Sequence, residues 1–417
     1  MNKPVILTLI GLAIYAAAVM LYLNAHTPFE VPEAFRGGPG DPSMFMEREH
    51  VQTVHHYAKE RWLAALLPIP LEWIVYILLM TSGVSLWFQH KAKQISAKPF
   101  LQTGVYVFLL SVVMGLVSLP ADVYLFKLAQ SYEMTEMTSM EWVSLQLKQF
   151  ALSFLMWLPV IWGLYTLLKK VHRRRWWLWS WLATIPLTLF LLFIQPVVID
   201  PMFHTYEPLQ HAELKKDIEL LGGQAGIPAD RIFQVNMSEQ TNALNAYVNG
   251  IGGSARIVLW DTLIKALSVD ETTFVTAHEI GHYINHDIWR AFAFTIIVAF
   301  FAYRLIFHYY FRMLLRWGRK WKIRTSADLA ALPMLLLVVS IVSFTLTPIH
   351  NAYSRHLERQ ADEVAAQLQH PEAGIRALQK LAIHSKAEVN PPLILHFWFD
   401  SHPRLVERIA DLQEKLP

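Results

Sequence analysis

Two histidines four residues apart enclose a glutamate in the run His278-Glu279-Ile280-Gly281-His282. On a helix, residues at i and i+4 share one face about 6 Å apart, which suits two adjacent positions on a tetrahedral zinc ion. Glu279 lies next to that face and reaches a water on the metal rather than the metal itself. Zinc lowers the pKa of such a water to about 7, and a neighbouring carboxylate removes the proton. A pattern this short recurs by chance in long chains. Here it sits on a capped helix, in a polar segment and beside an apolar span, which favours chemistry over accident.

A catalytic zinc takes a third protein ligand and keeps a fourth position open. Downstream, Glu358 and Asp362 stand four residues apart in a stretch with helical spacing and no breaker. One of them can ligate while the other orients a ligand histidine. His286 also competes, four residues beyond His282, but three ligands along one straight helix cannot surround one ion. His26, His50, His55, His56 and His90 are scattered and read as interfacial or solvated. His402, in Ser401-His402-Pro403-Arg404, is fixed by a turn and could stabilise the oxyanion of a tetrahedral intermediate. The chain has no cysteine, so thiol catalysis, disulfides and Cys-ligated zinc are excluded, leaving carboxylates and 18 histidines as metal donors.

The elements that must position these residues follow from local pattern. Ser268 and Glu271 have the Ser-x-x-Glu form of a capping box, so a helix starts there and runs through the histidine pair. Upstream, residues 211–221 read as an amphipathic helix closed by Gly222-Gly223 followed by Gly226. Residues 232–235, 243–248 and 255–260 read as strands, the last two joined by a glycine-rich turn into a hairpin. One edge of that hairpin can accept an extended peptide as an added strand, or the hairpin is purely structural.

With 417 residues, 54% hydrophobic and only 17% charged, the composition is that of a membrane protein rather than an ordinary soluble enzyme. A net charge of +3 gives no reason to expect a nucleic-acid partner. Apolar windows at 5–23, 63–88, 100–126, 151–168, 176–199, 288–311 and 330–349 predict seven transmembrane helices. The fold class is therefore mainly α and polytopic. It divides into five helices over 1–199, a catalytic α+β segment over 200–287, two further spans over 288–350 and C-terminal helices over 351–417. Glu72, Asp122 and Arg304 fall inside spans, where they either line a water-filled cavity or pair between helices. Basic loops around Lys91, Lys169–Arg175 and Arg312–Arg324 share one face, which the positive-inside rule places in the cytoplasm. The catalytic segment then faces away from it.

Taken together, these residues resemble the type I CAAX prenyl proteases, integral-membrane zinc metallopeptidases with seven helices around a chamber. The likeness rests on Pro196–Phe203, Asn242-Ala243, Arg256–Leu263, the zinc helix, Ser354-Arg355 with Glu358 and Asp362, and Ser401-His402-Pro403 with Glu407-Arg408. It implies His278, His282 and Glu358 as ligands of one zinc per chain, Glu279 as general base and Asp362 as the group behind a ligand. It implies Asn242 and Ala243 as main-chain partners of the substrate, with His402 and Arg408 lining the site. The expected activity is endoproteolysis near the C-terminus of a peptide or protein substrate, prenylated or not, in a lipid bilayer of the plasma, inner or endoplasmic-reticulum membrane. Broad membrane-protein quality control and a non-catalytic metal-binding transporter or receptor are the rivals. In eukaryotic members the catalytic domain faces the cytosol, opposite to what the loop charges here imply.

Overall fold

In lipid every backbone polar group must be satisfied within its own segment, so the long apolar windows are forced into helices. The computed structural model describes residues 3–26, 31–171, 174–250 and 255–416. The N-terminal half is helical: α1 (Lys3–Ala25), α2 (Arg48–Leu66), α3 (Pro68–Thr81), α4 (Val84–Ile95), α5 (Pro99–Ser131), α6 (Ser139–Lys170) and α7 (Trp176–Ile194). Then come β1 (Tyr206–Pro208), α8 (Ala212–Gln224), β2 (Ile232–Val235), β3 (Ala246–Asn249), β4 (Arg256–Trp260), α9 (Asp261–Ala266) and α10 (Val269–Ile284). The chain finishes with α11 (Asp287–Trp317), α12 (Leu332–Leu368), α13 (Pro371–His384), α14 (Leu393–Phe399) and α15 (Leu405–Gln413).

Among the described residues, six stretches are long and apolar enough to cross a membrane: Arg48–Thr81, Pro99–Ser131, Ser139–Lys170, Trp176–Met202, Asp287–Trp317 and Leu329–Leu368. Ile10–Ala25 of α1 is apolar but shorter. Large side chains such as Trp157, Phe190, Phe193 and Phe301 are exposed on these helices, as lipid-facing residues would be. The window at 63–88 is not one helix. Gly83 adopts φ 81°, a left-handed conformation that ends α3 and starts α4 in a new direction. Glu72, Asp122 and Arg304 are not among the residues lining the cavity beside Glu279. Arg304 instead lies 5.9 and 5.8 Å from the rings of Trp177 and Phe307, a cation–π arrangement.

The polar segment folds as a four-stranded sheet in the order β1-β2-β4-β3. β2 and β4 are parallel, and β3 pairs antiparallel with β4 as the expected hairpin, leaving β3 at an edge. Part of the turn, residues 251–254, lies outside the described residues. The strand expected from 243 begins only at Ala246. The helix expected over 211–221 continues three residues further to Gln224, with Gly222 packed against Ile257 of the sheet. The stop comes at Gly226, φ 74°, with the Ile227 N–H donating to the Gly222 carbonyl at 2.8 Å. One core fills the membrane half around Tyr106, Tyr310 and Met334. A second, around Ile218, Ile257, Leu259, Leu263, Ile280 and Ile409, joins the sheet to α8, α10, α13 and α15.

α10 and α12 pack closely because Gly281 faces Ala361. A Cβ at Gly281 would sit 3.1 Å from the Ala361 Cα and carbonyl oxygen and 3.2 Å from the Val364 Cβ. Backbone cannot retreat as a side-chain tip does, so overpacking here costs about 1–3 kcal/mol. Gly281→Val is expected to lower the thermal unfolding midpoint in detergent and weaken metal binding. Gly223→Ala, in the same class of helix position but with nothing within 4 Å, is expected to be neutral or stabilising in the same melt.

Candidate active site

The start of α10 is fixed electrostatically. The Ser268 N–H donates to Glu271 Oε2 at 2.9 Å, and the buried Glu271 carboxylate also receives Lys380 Nζ at 2.7 Å and Arg376 Nε at 3.4 Å from α13. Phe274, Ala277 and Ile280 then face the core under the sheet. The helical period turns His278 and His282 toward α12, where Glu358 and Asp362 are both buried.

Four groups converge there. Glu358 Oε2 lies 3.3 Å from His278 Nε2 and 3.5 Å from His402 Nε2, while Glu358 Oε1 lies 3.4 Å from His282 Nε2. Ligand atoms of His278, His282 and Glu358 all fall within 4.8 Å of one another, a group that could hold a metal ion. Glu358 Oε2 is buried without a hydrogen-bond partner, which is costly unless a cation completes the site. His278 points the same way. Burial works to lower its pKa, yet the Asp362 and Glu358 carboxylates outweigh burial and push it up to about 10. Two imidazole nitrogens and a carboxylate are the donor chemistry of zinc, so these residues fit that metal.

The opposite ring nitrogens are held from behind. Asp362 Oδ1 is 2.8 Å from His278 Nδ1, and Asp287 Oδ2 is 2.8 Å from His282 Nδ1. Each of these carboxylates carries its own arginine. Arg408 donates to Asp362 through Nε at 2.8 Å and Nη2 at 2.7 Å, and Arg290 Nη1 donates to Asp287 at 2.7 Å. Arg408 lines the cavity and is largely buried, and with Nε and Nη2 on Asp362 it also braces the site from behind. Asp287 was missed from sequence. Its signal is weak, an acid five residues past His282. It faces back only because His286, at φ 55°, bends the chain between α10 and α11. His286 is therefore a pivot outside the donor group.

Glu279 is half-buried, lines the main cavity and has no hydrogen bond or ion pair among the described residues. Burial raises its pKa above the ordinary carboxylate value, and the two histidines beside it offset only part of that rise. His402 lines the same cavity, with Nδ1 3.0 Å from Ser401 Oγ. Asn242 and Ala243 lie just before β3, where their main-chain groups are largely engaged. The Asn242 N–H donates to the Met134 carbonyl at 3.0 Å, the Ala243 N–H to Thr241 Oγ1 at 3.2 Å, and the Ala243 carbonyl accepts from Thr262 Oγ1 at 2.7 Å. The unpaired edge is that of β3 itself, Ala246–Asn249.

If Asp287 sets the tautomer and aim of His282, Asp287→Asn is expected to weaken metal binding about 10–100-fold. Chelator competition on the purified protein reads this directly, and an unchanged affinity would remove Asp287 from the site.

Comparison with known proteins agrees with this arrangement. Residues 208–416 match peptidase family M48, and residues 7–205 match the family described as CAAX prenyl protease N-terminal, five membrane helices. The uncharacterized metalloprotease YhfN of Bacillus subtilis is 37% identical over 390 residues, 93% of this chain and 91% of that protein. CAAX prenyl protease 1 of Saccharomyces cerevisiae is 30% identical over 327 residues, 75% of this chain and 72% of that protein. The crystal structure of S. mikatae Ste24p shares the fold, with a TM-score of 0.82 at 22% identity over 96% of this chain and 97% of that one. With its apolar helices and its His-His-Glu group on the page, the chain belongs to peptidase family M48 and is a multi-pass membrane metalloprotease of the CAAX prenyl protease kind.

Proposed function

We propose that the chain is a zinc-dependent endopeptidase that cuts an extended peptide near its C-terminus. The observation that carries this reading is the pair of imidazoles whose Nδ1 atoms are held by Asp362 and Asp287 while both Nε2 atoms face Glu358. His278, His282 and Glu358 would hold one zinc per chain. When bound, zinc supplies Lewis-acid chemistry, acidifying a water and drawing electron density from a carbonyl.

The chain's own residues do the rest. Glu279 accepts the proton of the attacking water on a carboxylate oxygen and returns it to the leaving nitrogen, a task its raised pKa suits. His402 donates a hydrogen bond from Nε2 to the developing oxyanion. The free edge of β3 holds the substrate main chain as an added strand, with Asn242 and Ala243 shaping the end of that track. The names of the relatives point to prenylated C-terminal motifs as substrates.

Glu279→Gln is expected to keep bound zinc and lose hydrolysis by about 10²–10⁴-fold. Matched prenylated and unprenylated peptides, assayed with metal content measured in parallel, check both points. Retained turnover in the variant would sink the protease reading, and equal wild-type rates would favour broad quality control over prenyl selectivity.

We infer the orientation from where the basic connections lie. Ala330 N–H donates to Gln89 Oε1 at 2.9 Å and the Trp176 and Tyr310 rings lie 6.1 Å apart, so the basic connections gather at one end of the bundle. Asp287, beside the metal group, begins α11 and Arg316 stands in its last turn; 31 residues make that helix about 45 Å long. The positive-inside rule then puts the catalytic elements on the non-cytoplasmic side, which favours quality control as the second reading. A topology reporter fused after Pro417 is expected to report a non-cytoplasmic C-terminus, and a cytoplasmic signal would reverse the assignment.

A further inference from the structure

The cavity beside the metal group, about 620 Å³, is lined by Glu279 and His402, by Asn245 and Ala246, and by Arg61 and Lys386. Most charges on its wall are already compensated. Arg408 is bound to Asp362 and Arg404 to Glu407, while Glu388 pairs with His55 at 2.9 Å. Arg61 and Lys386 differ. Neither has an ion pair or a side-chain hydrogen bond among the described residues, and Arg61 lies 5.4 Å over the Tyr57 ring. Two cations with no anion of their own among the described residues thus line one substrate-sized space, and Tyr57, beneath Arg61, belongs to the apolar cluster against which Ala243 packs.

Lys386 also occupies a backbone position that suits glycine. It follows the end of α13 at φ 47°, with the Ala387 N–H donating to the Ala382 carbonyl at 3.0 Å. That is the left-handed helix stop at which glycine fits without strain and a residue with a Cβ does not. The negative end of α13 favours a cation nearby, but it gives no reason for that cation to line the cavity.

Strand direction supplies the ligand. A peptide added antiparallel to β3, the better-paired arrangement, runs with its C-terminus toward the Leu244–Asn245 end of that strand. The Leu244 N–H donates to Ser385 Oγ at 3.1 Å, so this end adjoins Lys386. We propose that Arg61 and Lys386 bind the terminal carboxylate of the substrate, so that cleavage is measured from a free C-terminus. This rests on reading the metal group as that of a protease. A carboxylate accepts charge-assisted hydrogen bonds from an ammonium and a guanidinium together, whereas a terminal amide forfeits both charges.

The test uses two peptides of one sequence, one ending in the free acid and the other in the amide, on the full-length enzyme in detergent. Wild type is expected to favour the acid in kcat/KM by about tenfold or more, the scale of one charge-assisted hydrogen bond. In Lys386→Gly and Arg61→Gln the acid-to-amide ratio should fall toward one. The glycine variant should melt no lower than wild type, since it relieves the left-handed backbone. An equal ratio in wild type, or a ratio unmoved in both variants, overturns the proposal. Binding of the same peptides to Glu279→Gln separates it from the protease reading. A tenfold tighter acid supports carboxylate capture even without turnover, and equal affinities overturn it.

Discussion

Gly281 against Ala361 sets the distance on which the metal group depends. The two helices approach until a hypothetical Cβ on one would meet the backbone of the other at 3.1 Å. At that separation, the Glu358 side chain from α12 reaches between two rings from α10, 3.3 and 3.4 Å from their Nε2 atoms. A larger residue at 281 would leave every donor present and none in range. Packing here is therefore part of the chemistry, because donors must converge to within a few tenths of an ångström to share one ion.

The buried charges around that contact are distributed in a way that asks for a divalent cation. Asp362 has Arg408 and Asp287 has Arg290. Among the described residues Glu358 has no arginine or lysine within ion-pair distance, only imidazoles, and its Oε2 has no hydrogen bond. Removing a carboxylate from water costs several kcal/mol unless a partner compensates it. A proton on His278 is the compensation the protein alone can offer, hence its raised pKa. A divalent cation held by His278, His282 and Glu358 would supply that compensation instead, with Asp362 and Asp287 polarising the rings from behind.

The histidine pair, Glu279, Glu358 and Asp362 were legible because helical periodicity makes i and i+4 spacing a statement about geometry. The spans were legible for a related reason, since lipid allows few backbone solutions. What escaped the sequence depended on single backbone angles or on contacts distant in the chain. Gly83 breaks the 63–88 window through one positive φ, and His286 turns Asp287 back onto His282 through another. Of the three glycines that close α8 in sequence, the helix passes through Gly222 and Gly223, packed on Ile257, and stops at Gly226. That Arg408 also braces Asp362 depends on a bidentate contact between residues 46 positions apart in sequence.

α12 links membrane and chemistry more directly than any loop. Its 37 residues extend about 55 Å, more than the roughly 30 Å hydrocarbon core requires. The surplus carries Glu358 and Asp362 out of the apolar run on one continuous rod. Asn351 Nδ2 donates to the Trp398 carbonyl and Arg355 Nη1 to the Asp400 carbonyl, both at 2.7 Å, so the same rod also fixes the segment before His402. A metal donor, its supporting carboxylate and the oxyanion candidate thus move together with one transmembrane helix. A displacement of that span along its axis cannot leave the site intact, because His278 and His282 belong to α10, whose place is set by the sheet side of the molecule. The depth of α12 in the bilayer is in this way a determinant of active-site geometry, and the Gly281–Ala361 contact is where the two are held in register.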